Sequence, residues 1–98
     1  MYCIAWKYDV EKSKSKAFEE HYARGGVWFR FFEPCDDYLG HDLMQNIEDG
    51  SYLIIDKWMG KSEYDSFLKI NQAEYEALNA QTADLYDQET HIGSYETL

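Results

Sequence analysis

The clearest local signal in the chain is Asp49-Gly50-Ser51-Tyr52-Leu53-Ile54-Ile55-Asp56-Lys57-Trp58-Met59-Gly60. An Asp-Gly pair marks a hairpin turn, because both residues tolerate the left-handed backbone that a tight reversal needs. Ser51 to Met59 then reads as a strand. Its Leu53-Ile54-Ile55 centre predicts burial on both faces. Gly60 ends the strand. Before the turn, Tyr38 to Asn46 reads as the other arm of the hairpin, with Leu39, His41 and Leu43 on one side.

Downstream, Ser62 with Asp65 has the spacing of a capping box, and Tyr64, Phe67 and Leu68 follow at helical intervals. Asn71 with Glu74 predicts a second capped helix, with Tyr75, Leu78, Leu85 and Tyr86 on one stripe and Ala73, Ala77 and Ala80 allowing close approach. Glu89 to Glu96 reads as a last strand around Ile92 and Tyr95. Upstream, Tyr2, Ile4, Trp6 and Tyr8 alternate with Cys3, Ala5 and Lys7, the period of a strand. Phe18, His21 and Tyr22 then fall at helical spacing behind two candidate N-caps, Ser13 and Ser15, and Gly25-Gly26 closes that helix. Val27 to Phe32 is a dense apolar run, readable as a short helix or an irregular packed turn.

This order predicts an α+β fold: a ferredoxin-like split β-α-β sandwich with helices on one face of a four-stranded antiparallel sheet. The opposite face, if it carries Ile, Leu and aromatics, needs a cover. A second copy of the chain is the simplest one.

Length and composition bound the rest. Ninety-eight residues predict a single domain, 1–98. Hydrophobic residues at 45% exclude a disordered chain. Nine basic against 19 acidic residues leave a formal charge of −10, which disfavours nucleic acid and anionic membranes alike. No apolar run approaches the ~20 residues of a bilayer span. Lys7 and Asp9 interrupt any secretory pattern, so the expectation is cytoplasmic, with Cys3 and Cys35 as free thiols. Nine tyrosines, three tryptophans and five phenylalanines are many for so small a core. They point to a homodimer, a ring-lined ligand cleft, or both. No Lys or Arg follows Lys69, which leaves an acidic C-terminal helix as a solvated face or a docking surface for a basic partner.

Tyr52-Leu53-Ile54-Ile55-Asp56-Lys57-Trp58 followed by Ser62-Glu63-Tyr64-Asp65-Ser66-Phe67 resembles the strand–Trp–helix segment of the antibiotic biosynthesis monooxygenase-like family, and His91-Ile92-Gly93 resembles its last strand. The resemblance implies a dimeric α+β barrel of ferredoxin-like protomers. It also implies one of two activities: cofactor-free oxygenation of phenolic or anthrone-like compounds to quinones, or oxidative haem degradation. Trp58 and Tyr64 match the Trp and Tyr of the anthrone-oxidising branch, but Ile54 stands where that branch has an amide. The haem branch fits less well: the first strand has no Asn, and Phe67 and Ala77 stand where its helical Trp and His ligand belong.

Cofactor-free oxygenation needs a base to form an electron-rich anion and an apolar, water-poor pocket to protect the reactive intermediates. The candidate catalytic residues are His41, Asp56 and Tyr64. His41 titrates near neutrality when unperturbed, Asp56 does so if burial raises its pKa, and Tyr64 can hydrogen-bond a substrate oxygen. Candidate walls for a flat phenolic or quinol-type substrate are Trp6, Trp28, Trp58 and Phe67. Each of these aromatics also reads as core. Arg24 and Arg30 flank the apolar run and can neutralise an anionic substrate or form surface ion pairs. Histidines separated by 20 and 50 residues have no metal-ligand spacing, so neither metal nor cofactor is expected. The rival functions are a non-catalytic small-molecule-binding or stress-related dimer, and an adaptor using the acidic helix.

Overall fold

The computed structural model describes residues 1–98. In chain order the elements are β1 (Tyr2–Asp9), a 3-10 turn (Lys12–Lys14), α1 (Ser15–Tyr22), α2 (Val27–Phe32), β2 (Tyr38–Gln45), β3 (Tyr52–Trp58), α3 (Lys61–Ile70), α4 (Gln72–Thr82), a second 3-10 turn (Ala83–Leu85) and β4 (Gln88–Glu96). The four strands form one antiparallel sheet in the order β2-β3-β1-β4. This is the ferredoxin-like α+β sandwich that the element order predicts. The apolar run at Val27–Phe32 is helical.

Strand alternation builds the core. Tyr2, Ile4, Trp6 and Tyr8 of β1 lie opposite Trp58, Asp56, Ile54 and Tyr52 of β3, respectively, and this shared face turns toward the helices. One buried cluster holds Tyr8, Phe18, Tyr22, Tyr52 and Ile54, with Phe18 stacked on Tyr22 at 4.2 Å between centroids. A second holds Tyr2, Ile4, Phe32 and Trp58. Asp56 is the one carboxylate among these eight facing positions.

The hairpin reverses at the Asp-Gly pair, with Gly50 and not Asp49 in the left-handed region. Gly50 adopts φ +78°. The Asn46 side chain accepts the backbone N–H groups of Glu48 and Asp49, and Asp49 accepts both the N–H and the hydroxyl of Ser51. These bonds satisfy turn groups that no strand partner reaches.

Five local expectations are corrected. Leu39 does not share a side with His41: a bulge slips the register between Tyr38 and Gly40, which adopts φ +101°. The extra residue turns Leu39 outward at 45% exposure and brings Tyr38 onto the side of His41. Neither predicted capping box forms. Gly60 and Asn71 precede the two helices without a side-chain cap, Ser62 bonds Glu63, and the Asn71 amide donates to the Phe67 carbonyl. Ser13 and Ser15 do not cap either, because a 3-10 turn runs straight into α1. Leu85 and Tyr86 lie beyond α4, on and after the second 3-10 turn. Finally, Leu53 and Ile55, on the face away from the helices, are only half-buried within one chain, unlike Ile54.

No helix is long and apolar enough to cross a membrane. Cys3 and Cys35 are free thiols.

Candidate functional site

Between the sheet and the helices lies a cavity of about 50 Å³. Its floor is the inward face of the sheet: Trp6 and Tyr8 from β1, Tyr38 and His41 from β2, Ile54 and Asp56 from β3, and Glu89 from β4. Its roof comes from the helices: Tyr22 from α1, Trp28, Phe29 and Phe32 from α2, Tyr64 from α3, and Tyr75 with Asn79 one turn apart on α4. Rings dominate, and the polar groups are few. Such a lining holds a flat apolar body and fixes it by a small number of hydrogen bonds.

His41 and Asp56 face each other directly across the β2–β3 ladder. The histidine is held at both nitrogens. Nε2 lies 2.7 Å from the Tyr22 backbone carbonyl, which can only accept, so Nε2 carries a proton. Nδ1 lies 3.0 Å from the Tyr38 hydroxyl. Burial lowers the His41 pKa below its usual value, outweighing the carbonyl contact that raises it. The ring is therefore neutral at neutral pH, and Nδ1 accepts the Tyr38 proton. Both nitrogens are occupied by the fold itself.

Asp56 is different. Its side chain borders the cavity, and burial pushes its pKa from 3.8 up to about 7; no cation or donor of the chain offsets the lost water. Around it stand phenols whose own pKa values lie above the usual range: Tyr38, Tyr64 and Tyr8, each raised chiefly by burial and further by the Asp56 charge. These hydroxyls stay protonated and serve as donors. A second carboxylate, Glu89, also borders the cavity but accepts the Tyr8 hydroxyl at 2.5 Å. One acid is thus committed to a fixed partner, and the other is left to exchange a proton near neutrality.

Of the residues singled out from sequence, His41, Asp56, Tyr64, Trp6 and Trp28 meet at this cavity. Trp58 and Phe67 do not line it. Trp58 is fully buried beneath Phe32, Tyr38, Tyr64 and Phe67, with ring centroids 5.3–5.4 Å away, and its indole N–H has no partner. Phe67 packs behind the wall, against Phe31, Phe32 and Trp58. Both stand behind the lining because Phe32, which borders the cavity, packs against each of them, and Tyr38 and Tyr64 cover Trp58 as well. Sequence reading missed Tyr38, Glu89 and Asn79. Only Tyr38 left a readable trace, since a glycine inside a strand signals a bulge that changes which neighbours share a face.

No protein-family model matches the chain, and no curated protein is similar to it in sequence. Its fold is that of solved structures of the antibiotic biosynthesis monooxygenase type. A structure titled "Putative antibiotic biosynthesis monooxygenase from Nitrosomonas europaea" is 16% identical with a TM-score of 0.73, covering 100% of this chain and 99% of that one. SnoaB from Streptomyces nogalater, a cofactor-independent oxygenase, is 19% identical with a TM-score of 0.73, covering 99% of this chain and 92% of that one. A protein of the same description from Bordetella bronchiseptica, 13% identical, reaches a TM-score of 0.74 over 99% and 96% of the two chains. The expectation drawn from Tyr52–Trp58 and Ser62–Phe67 therefore holds at the level of fold.

Proposed function

We propose that the chain is a cofactor-independent monooxygenase acting on a small phenolic or quinol-type compound, with Asp56 as its proton acceptor. The observation that carries this reading is a carboxyl group with a pKa of about 7 bordering an aromatic cavity. A general base works best when its pKa lies near the working pH. His41 lacks a free nitrogen and acts instead as the group that orients the Tyr38 hydroxyl.

In this scheme Asp56 removes a hydroxyl proton from a bound quinol. Tyr64, whose hydroxyl has no other partner, donates a hydrogen bond to the oxyanion that forms. The anion passes one electron to dioxygen, and the resulting superoxide and ring radical combine at a ring carbon. Loss of water from the hydroperoxide leaves a hydroxyquinone. One quinol and one O2 give one hydroxyquinone and one H2O, so no outside reductant is needed. The aromatic walls keep bulk water from the radical pair.

The cavity is smaller than the ~150 Å³ that admits benzene in an engineered core. A single ring therefore enters only when side chains move, and a three-ring anthrone needs a larger rearrangement. The substrate class favoured here is monocyclic. We also infer that a second copy of the chain covers the outer sheet face. Cys3, Ala5, Leu53 and Ile55 alternate with the core residues there, and Met44 and Tyr95 are 44% and 55% exposed.

Oxygen uptake with a panel of monocyclic quinols and anthrones tests the reading, using the wild type and Asp56→Asn. The expected result is uptake with monocyclic quinols, reduced about 10²-fold or more by the substitution. Binding without uptake across the panel would overturn the oxygenase reading in favour of a binding module.

A further inference from the structure

A second void lies outside the first. It is a surface cleft of about 360 Å³ bordered by Arg24, Phe29, Glu33, Tyr38, His41 and Lys57, among others. Phe29, Tyr38 and His41 border both voids, so these three side chains are the partition between them. Tyr38 and His41 are hydrogen-bonded to each other, and His41 also to the Tyr22 carbonyl. Phe29 has only packing contacts, against Tyr38 and His41 at about 6 Å between centroids. It is the one leaf of the partition that no hydrogen bond holds.

The charge at this mouth is balanced, Arg24 and Lys57 against Glu33 and Asp42, in a chain that is acidic as a whole. In a sequence with a formal charge of −10, the cleft gathers two cations. Lys57 is paired with Asp42 at 2.7 Å. Arg24 takes no part in any of the four ion pairs, which join the N-terminus to Glu96, Lys7 to Asp9, Lys57 to Asp42 and Lys61 to Asp65. Its guanidinium lies 5.6 Å above the Phe29 ring, a cation–π contact that leaves the edge of the fork open. Glu33 is the cleft carboxylate that has no ion pair.

Arg24 is held there by a cramped turn. The Gly26 N–H donates to the Ala23 carbonyl at 2.9 Å. A Cβ on Gly26 would sit 2.4 Å from the His21 carbonyl oxygen, and Gly25 takes φ +86°. The segment between α1 and α2 thus turns tightly, and Arg24 sits in it with its guanidinium over Phe29.

We propose that the cleft is an anion subsite for a monocyclic aromatic carboxylate, with its carboxylate on Arg24 and its hydroxylated ring passing Phe29 into the cavity toward Asp56. This rests on the reading of the cavity as a site for a phenolic ring and narrows the substrate to one bearing an acid group. An arginine fork suits a carboxylate because two parallel N–H donors meet two oxygens. The acidic remainder of the surface repels the same anion elsewhere.

Calorimetric titration of 3-hydroxybenzoate and its uncharged analogue 3-hydroxybenzamide tests this, with the wild type, Arg24→Gln and Glu33→Gln at low salt. The wild type is expected to bind the acid about tenfold more tightly than the amide. Arg24→Gln abolishes that preference, weakening the acid far more than the amide, with an unchanged circular dichroism spectrum showing that the variant is folded. Glu33→Gln enlarges the preference, and half-molar salt shrinks it. Equal binding of acid and amide by the wild type, or a preference that survives Arg24→Gln, overturns the anion subsite and leaves the phenol cavity standing. Failure of the wild type to bind either probe overturns both.

Discussion

Replacing Asp56 with Asn should stabilise the protein, and by an amount that depends on pH. In the folded chain the Asp56 carboxyl holds its proton until about pH 7, against 3.8 when solvated. Between those values the folded state binds more protons than the unfolded one. Stability contributed by this group is therefore lost as pH rises from about 4 to about 7, and stays low above that. A difference of about three pH units at about 1.4 kcal/mol each sets a ceiling of ~4 kcal/mol. Asparagine has nearly the same shape and no charge to desolvate. The variant should match the wild type near pH 4 and exceed it increasingly above. Between about pH 5.5 and about pH 8 the advantage should grow by ~2 kcal/mol, or roughly 8–16 °C in Tm for a chain of this size. Urea unfolding of both proteins at several pH values gives the number directly. A constant difference across that range, or a variant less stable at pH 8, would refute the argument that Asp56 is held without a compensating partner.

Three further outcomes are expected from the packing. Gly40→Val forces a β-branched residue into φ +101° and should cost about 1–2 kcal/mol; with the bulge disturbed, the His41 ring resonances should move as well. Trp58→Ala empties a fully buried site under four rings and should cost ~3–5 kcal/mol, whereas Trp58→Phe should cost less and leave ligand binding in place, since Trp58 does not border the cavity. Ile55→Glu on the outer sheet face should convert a dimer to a monomer in sedimentation equilibrium at micromolar concentration. A wild type already monomeric under those conditions would refute the paired-sheet inference.

The sequence made the fold legible where one local rule governs. Alternation in Tyr2–Tyr8 and the Asp49-Gly50 reversal each depend on nearest neighbours, and each gives the element read from it; the apolar centre of Ser51–Met59 gives its strand, but Leu53 and Ile55 are only half-buried. The capping boxes failed because a matching spacing does not oblige the side chains to bend back. Ser62 found Glu63 beside it, and Asn71 turned toward the preceding helix. Site residues were legible when they pointed inward from a regular strand, as Trp6 and Asp56 do. Tyr38 was hidden by a one-residue slip at Gly40, and Glu89 by the exposed, acidic look of its segment. Trp58 shows the converse. Its size and place at a strand end suggest a pocket wall, but the rings of Phe32, Tyr38, Tyr64 and Phe67 packed on it put it behind one. Only the three-dimensional arrangement shows that two voids share Phe29, Tyr38 and His41.

The central claim is a carboxyl group that changes protonation near neutrality inside the ring-lined cavity. Carbon-13 NMR of the side-chain carboxyl of Asp56, assigned by its loss in Asp56→Asn and followed from about pH 4 to about pH 9, measures this without any substrate. A midpoint near 7 is the expected result. A midpoint in the ordinary carboxylate range, below about 5, would contradict that claim and remove Asp56 as the proton acceptor.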